Sequence, residues 1–350
     1  MKFKQTPVLT SQNYGINYVE INDGYFNFSK QANFDVNISN DQFCEITDIE
    51  NKDISINSVT DTLSQQYNHS KKIVVKDNSN TPIFIEINNQ KNCSLATKLE
   101  IEICSQISTK MIIKMNNIET LSQITSIEFL LNRNSNLDLV VLSDNSNSGA
   151  VVNDLKFNLK ENANANINLV NFSPKNLVDY TNVNLLEANS KAVLNSLCFG
   201  SNDDALNMNH AINVFGKNCN AKINSLNVLG GRSQKNYVGT INFEKGSSKS
   251  VGDESESSIL LTNQAKAKST PILLSKEDDA IGKHSASVHN IDAKKLFYVS
   301  TRGLSKLDAT KIFVSAKLNS FTKNIFDENI KDEINKKIEM RLNNENEWRD

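Results

Sequence analysis

The chain has 350 residues, 38 Lys and Arg against 40 Asp and Glu, a net charge of −2 and a pI near 6.2. That balance removes any global electrostatic case for nucleic acid or an anionic membrane surface. No run approaches the roughly 18 apolar residues of a membrane-spanning helix, and the length suits one large elongated domain or two ordinary ones.

The first stretch, MKFKQTPVLTSQNYG, carries no apolar leader, which leads to the expectation of a cytoplasmic protein. Residues 1–70 read as a mixed segment. Tyr18 to Ile21 and Gly24 to Phe28 suggest short strands around an Asn22-Asp23-Gly24 turn, and Asp61 to Tyr67 suggests a short helix.

From residue 71 to about 290 the texture is repetitive. Runs such as KKIVV, TPIFIEI, TKLEIEIC, KMIIKM, SIEFLL, LDLVVL, LKFNLK, ANINLVNF, AVLNSLCF, HAINVF, AKINSLNVL and YVGTINF follow one another, separated by Asn, Ser, Asp or Lys. Each alternates apolar and polar residues over roughly five to seven positions, the pattern of a half-buried strand. A sandwich, a barrel and a stacked solenoid all accept such strands. So many strands in one run, with variable turns, favour a right-handed parallel β-solenoid, a mainly β fold. Solenoids usually carry more glycine than the 12 here. Asn, strongly over-represented in this chain, can take the left-handed turn positions instead.

After Ile291 the period changes to helical, giving a C-terminal helical subdomain over 291–345. Asp292 caps a helix through Thr301, and Arg302-Gly303 stops it. Ser305 to Asp308 matches a capping box ahead of an apolar stripe of Leu307, Ile312, Phe313, Ala316 and Leu318. A third helix starts at Asp327, with Ile330, Ile334, Ile338 and Leu342 on one face that needs a partner surface.

Few residues point to chemistry. Cys44, Cys93, Cys104, Cys198 and Cys219 form no C-x-x-C pair and no metal spacing, so reduced thiols are expected; Cys198 and Cys219 could lie on stacked coils, but buried, inert thiols are the expectation. Glu254 and Glu256 lie two apart on one strand face. They could act as ligands or as an acid–base pair, but a solvated face is the expectation. Glu277-Asp278-Asp279 reads as an acidic turn. His284 is either a structural His at a strand end or an iron ligand, since neutral imidazole suits Fe(II). His289, at an odd offset, points to the opposite face and cannot join it. Gly230-Gly231-Arg232 lacks the context of a phosphate loop, and no Ser-His-Asp arrangement is present.

The stretch from Ser258 to Phe321 resembles the C-terminal signature of the SufB/SufD family of iron–sulfur cluster assembly proteins. The resemblance is carried by Leu260-Leu261, Pro271, Asp278-Asp279, His284 with Ser285-Ala286-Ser287, Leu296-Phe297-Tyr298, Thr301-Arg302-Gly303-Leu304, and Ala309 to Ala316. Weaker matches are Asn22 to Phe26 and His210, so the likeness covers roughly residues 18–325. SufB-like chains have a Cys where Ala265 stands and a Glu where Ser285 stands, which places this chain on the SufD-like branch. SufD-like chains often have a Cys at the position of Gly282.

The resemblance implies a scaffold subunit without turnover of its own. It would pair with a SufB-like subunit, or with a second copy when that subunit is absent. It would also dock a SufC-like ABC-type ATPase through Leu296, Phe297, Tyr298, Arg302, Gly303, Leu304, Ile312 and Phe313. No cofactor is expected to be permanently bound. A transient iron or iron–sulfur cluster at the partner interface, with His284 as this chain's ligand, is implied. Two readings from other classes stay open: a free-standing β-solenoid binding or adhesion module, and a solenoid enzyme acting on polysaccharide. The one Trp, Trp348, speaks against sugar stacking.

Overall fold

The computed structural model describes residues 2–4, 18–20, 34–49, 68–79, 81–89, 94–117, 122–144, 149–172 and 175–344. The expected strand at Gly24–Phe28, the helix at Asp61–Tyr67 and Cys93 fall outside them. Strands β1 (Lys2–Lys4) and β2 (Tyr18–Glu20) form a small antiparallel pair.

The rest of the β region is a β-solenoid of about seven turns. One sheet holds β3 (Phe34–Ser39), β6 (Ile83–Asn89), β8 (Ser108–Asn117), β10 (Asn136–Asp144), β12 (Asn164–Phe172), β14 (Lys191–Gly200), β16 (Asn220–Leu229), β18 (Val251–Leu260) and β20 (Ile281–Asn290), in that order. The other holds β4 (Cys44–Asp48), β5 (His69–Val75), β7 (Ser94–Ile103), β9 (Ser122–Leu131), β11 (Ala150–Leu159), β13 (Asn176–Leu185), β15 (Ala205–Val214), β17 (Gln234–Phe243) and β19 (Lys266–Ser275). From β5 onward every pairing is parallel. β3 and β4 pair antiparallel with β6 and β5 and are the edge strands at the N-terminal end.

The corners explain how so little glycine suffices. Asn134, Asn162, Asn189 and Asn218 all have positive φ, between 56° and 60°. Asn tolerates this region because its short side chain bonds locally. Each corner also stacks on the next: the Asn134 N–H donates to the Glu161 carbonyl, Asn162 to Ala188, Asn189 to Lys217 and Asn218 to Ser248. Asn162 Nδ2 donates to Asn134 Oδ1 at 2.8 Å, and Asn189 Nδ2 to Asn162 Oδ1 at 3.0 Å. Asn is therefore the corner residue of the repeat.

In-register parallel pairing aligns equivalent residues of successive turns into rows. One inward row reads Ile167, Leu194, Ile223, Glu254, His284. The main core fills the interior with Ile85, Ile113, Phe129, Leu139, Phe157 and Ile167 among others, and the Phe129 and Phe157 rings stack at 4.5 Å.

Most strands run to ten residues, longer than the alternation predicts, and β13 carries no clear alternation in the sequence at all. The cause is that one side of the interior is polar. Thr97, Gln123, Asn153, Asp179, Thr181, Ser196, His210 and Asn227 are all buried there. Polar residues at inward positions hide the period-two signal.

Helices α1 (Ala293–Ser300), α2 (Lys306–Thr322) and α3 (Glu328–Asn343) follow β20 directly. Ser305 Oγ accepts the Asp308 N–H and Asp327 Oδ1 accepts the Ile330 N–H, as N-caps do. α2 and α3 bury Val314, Leu318, Phe321, Ile330, Ile334, Ile338 and Leu342 on the outer face of the first sheet, against Ile112, Leu142, Phe172, Phe199 and Ile259. Three polar bonds fix α3 across the turns: Lys114 to Glu333, Lys337 to Asp144 and Arg341 to Ser201. The packed face of α2 is Ala309, Val314, Leu318 and Phe321, so Ile312 and Ala316, expected on the stripe, point outward instead.

Candidate functional site at the open end of the solenoid

Among the described residues no strand pairs beyond β19 and β20 at the C-terminal end. β19 and β20 are the last strands of the two sheets, and most of their residues are exposed or half-buried. Ile281, Val288 and Leu273 present exposed apolar side chains there. An uncapped edge with unpaired backbone groups is a ready template for another strand.

His284 sits on this edge, exposed, as the last member of the inward row that passes through Glu254. His289 pairs with Ile259 in an outward row, so the two histidines face apart, as the odd offset predicts. Among the described residues no group of three or more His, Cys, Asp or Glu gathers to hold a metal. Gly282 and Ser285 lie on the same strand as His284.

Behind the edge the structure corrects one expectation. Glu254 and Glu256 are not a solvated face; they are 2% and 3% exposed, because β18 turns them into the interior. Glu256 collects hydrogen bonds from Asn227 on β16 (3.1 Å), Ser269 on β19 (2.8 Å), Ser258 on β18 and Lys235 on β17. Burial pushes the Lys235 ammonium below its ordinary value, while Glu256 pulls it back up. The Glu254 carboxyl lies over Gly239, where a Cβ would stand 2.5 Å from its Oε1. Burial, and then the neighbouring Glu256 charge, raise it from 4.5 to about 7.

One turn further in, His210 lies 3.7 Å from Asp179 and edge-on to Tyr237, and Asn171 donates to Asp179 at 2.7 Å. Sequence reasoning missed Lys235 and Asp179 altogether. The signal was a charged residue at an inward parity, readable only once the rows are known. Cys198 and Cys219 are buried, and burial raises the Cys198 thiol, as expected of inert cysteines.

The helical end carries the second surface. Phe297 is 70% exposed, Tyr298 58% and Ile312 51%, and the Arg302 guanidinium stacks 4.8 Å from the Tyr298 ring. Gly303 turns with φ +89°, and Leu304 is also exposed. Leu296 and Phe313 are only half-buried, so part of this aromatic set packs the helices.

A family model described as the SufBD core domain of SUF-system FeS cluster assembly matches residues 84–317, from β6 to the middle of α2. The chain belongs to the SufBD core family. Within that family it is similar to the iron–sulfur cluster assembly protein SufD of Bacillus subtilis, 27% identical over 143 residues, 41% of this chain and 33% of that one. It is 26% identical to SufD of Escherichia coli over 124 residues, 35% of this chain and 29% of that one. It is also 31% identical over 113 residues to the SufBD family protein ycf24 of Galdieria sulphuraria, 32% of this chain and 49% of the other. The matched regions span between about a third and a half of these SufBD relatives. The SufBD core thus comprises the solenoid, its open edge and the first helices, and the chain is SufD-like within it.

Proposed function

We propose that this chain is a SufD-like scaffold subunit of iron–sulfur cluster assembly, working in the cytoplasm. It pairs with a SufB-like subunit through its open edge and docks a SufC-like ATPase on α1 and α2. The observation that carries this reading is the C-terminal edge of the solenoid, where β19 and β20 are the last strands of their sheets and Leu273, Ile281 and Val288 stand exposed. A partner of the same architecture supplies the missing strand hydrogen bonds. Iron or a nascent cluster is cargo in this picture, held between chains, with His284 as this chain's contribution. A lone imidazole on an exposed edge binds weakly, so most ligands come from the partner. α1 continues directly from β20. Movement of a docked ATPase therefore reaches the paired edge through a single short link, and the chain itself turns nothing over.

The test is co-expression with the SufB-like and SufC-like proteins of the same organism, followed by size exclusion with mass measurement. The wild type is expected as a ternary complex. Phe297→Asp combined with Ile312→Asp, both exposed, is expected to lose the ATPase and keep the pair. His284→Ala is expected to lower the iron content of the complex without changing its mass. A wild-type chain that ignores both partners would overturn the reading.

A further inference from the structure

Among the described residues, the terminal strand of the second sheet is held by a backbone ladder from one side. β19 has a neighbour on one side only, β17. Its Pro271, paired with Gly239, can donate no ladder hydrogen bond. Its inward residues are the small Ala267 and Ser269 together with Pro271 and Leu273, and much of the strand is exposed or half-buried. Yet this strand and β20 define the edge that the proposed pairing uses.

What crosses the interior at that level is the Glu256 carboxylate. Its donors come from four consecutive strands, β16 to β19, and therefore from both sheets. Lys235 also donates to Ser258 at 2.7 Å and lies 5.0 Å from the Tyr237 ring centroid, so the ammonium is held on several sides. Ser287 of β20 reaches the Glu256 carbonyl at 3.4 Å. A buried ion pair is a poor source of stability, because desolvation cancels most of its attraction, and its best-attested use is to fix one arrangement among several. Hydrogen bonds to a charged acceptor are also shorter and roughly twice as strong as neutral ones.

We infer that Glu256, Lys235 and Ser269 are positioning residues. Together they form a cross-sheet clamp that sets where β19 lies, and so fix the shape of the edge offered to the partner. The clamp contributes placement more than stability. This deepens the scaffold reading and rests on it for the identity of the partner, but not for the behaviour of the edge.

The experiment uses the full chain carrying Lys235→Met with Glu256→Leu, a pair that removes both charges and roughly keeps volume. The melting temperature is expected to stay within a few degrees of wild type. Amide exchange across residues 266–275 is expected to rise roughly ten-fold or more, with β11 and β13 unchanged. Affinity for the SufB-like partner is expected to fall by about the same factor. If the double variant fails to fold, Ser269→Ala, which removes only the bond from β19, is expected to raise exchange in β19 alone. A folded variant whose β19 exchange equals wild type, or exchange raised evenly over all strands, overturns the clamp. If the wild-type chain does not pair at all, the scaffold reading fails, while the exchange measurement still decides the clamp.

Discussion

The two ends of the solenoid are built differently although the backbone repeat is the same. At the N-terminal end Ile73, Ile83, Ile85 and Leu99 fill the interior, and two antiparallel strands stand at its edge. At the C-terminal end the inward positions instead carry Glu254, Glu256 and Lys235, with Ser269 of the edge strand β19 beside them. An apolar end can be sealed, because nothing beyond it needs a particular geometry. An end that must meet another chain benefits from directional bonds, since apolar packing tolerates rearrangement and hydrogen-bonded charges do not.

The largest test of that contrast is a single substitution at each end. Lys235→Met strands the Glu256 charge and is expected to cost about 3–5 kcal/mol in urea unfolding. Ile85→Val at the apolar end is expected to cost about 0.5–1.5 kcal/mol. Equal costs would erase the distinction.

A smaller effect lies in pH. Glu254, raised from 4.5 to about 7, favours the folded state while it stays protonated. Its contribution is complete below 4.5 and is lost as pH rises to about 7, because the unfolded chain ionises first. The wild-type melting temperature should therefore fall more steeply than that of Glu254→Gln across this window, and the two should run parallel above it. Parallel curves throughout would place Glu254 in an ordinary ionised state.

The smallest effect should be the same at both ends. Asn134→Ala and Asn218→Ala each put a Cβ without a polar tip into a left-handed corner, at about 1 kcal/mol. A large difference between them in chemical denaturation would mean that the ends differ in more than their interiors.

Much of this architecture was legible in the sequence. The alternating runs marked the strands, the Asn excess anticipated the corners, and the caps at Ser305 and Asp327 located two helices. What stayed hidden was the interior polarity. The repeat is uneven: Asn164 to Lys191 is 27 residues, Asn220 to Val251 is 31. Without a constant period, Asp179, Lys235 and Glu254 cannot be aligned into rows, and each looks like a surface residue on a short strand. β13 escaped for the same reason, since Asp179 and Thr181 stand where the alternation would put apolar side chains. The acids at 254 and 256 looked solvated because one sequence does not show which face of β18 is covered. Ile312 falls outside its expected stripe because α2 packs through Ala309, Val314, Leu318 and Phe321, a choice of face that helical periodicity alone does not fix.

The strap formed by α3 also has a bearing on how the molecule is made. A stack of coils can assemble turn by turn as the chain leaves the ribosome, because each coil needs only its predecessor. The outer face at Ile112, Phe172, Phe199 and Ile259 differs, since its cover comes from α2 and α3, which follow every coil in the chain. Until those helices emerge, that apolar strip faces solvent bare. Nascent chains of this fold therefore present a chaperone target that vanishes when α2 and α3 pack down across the coils.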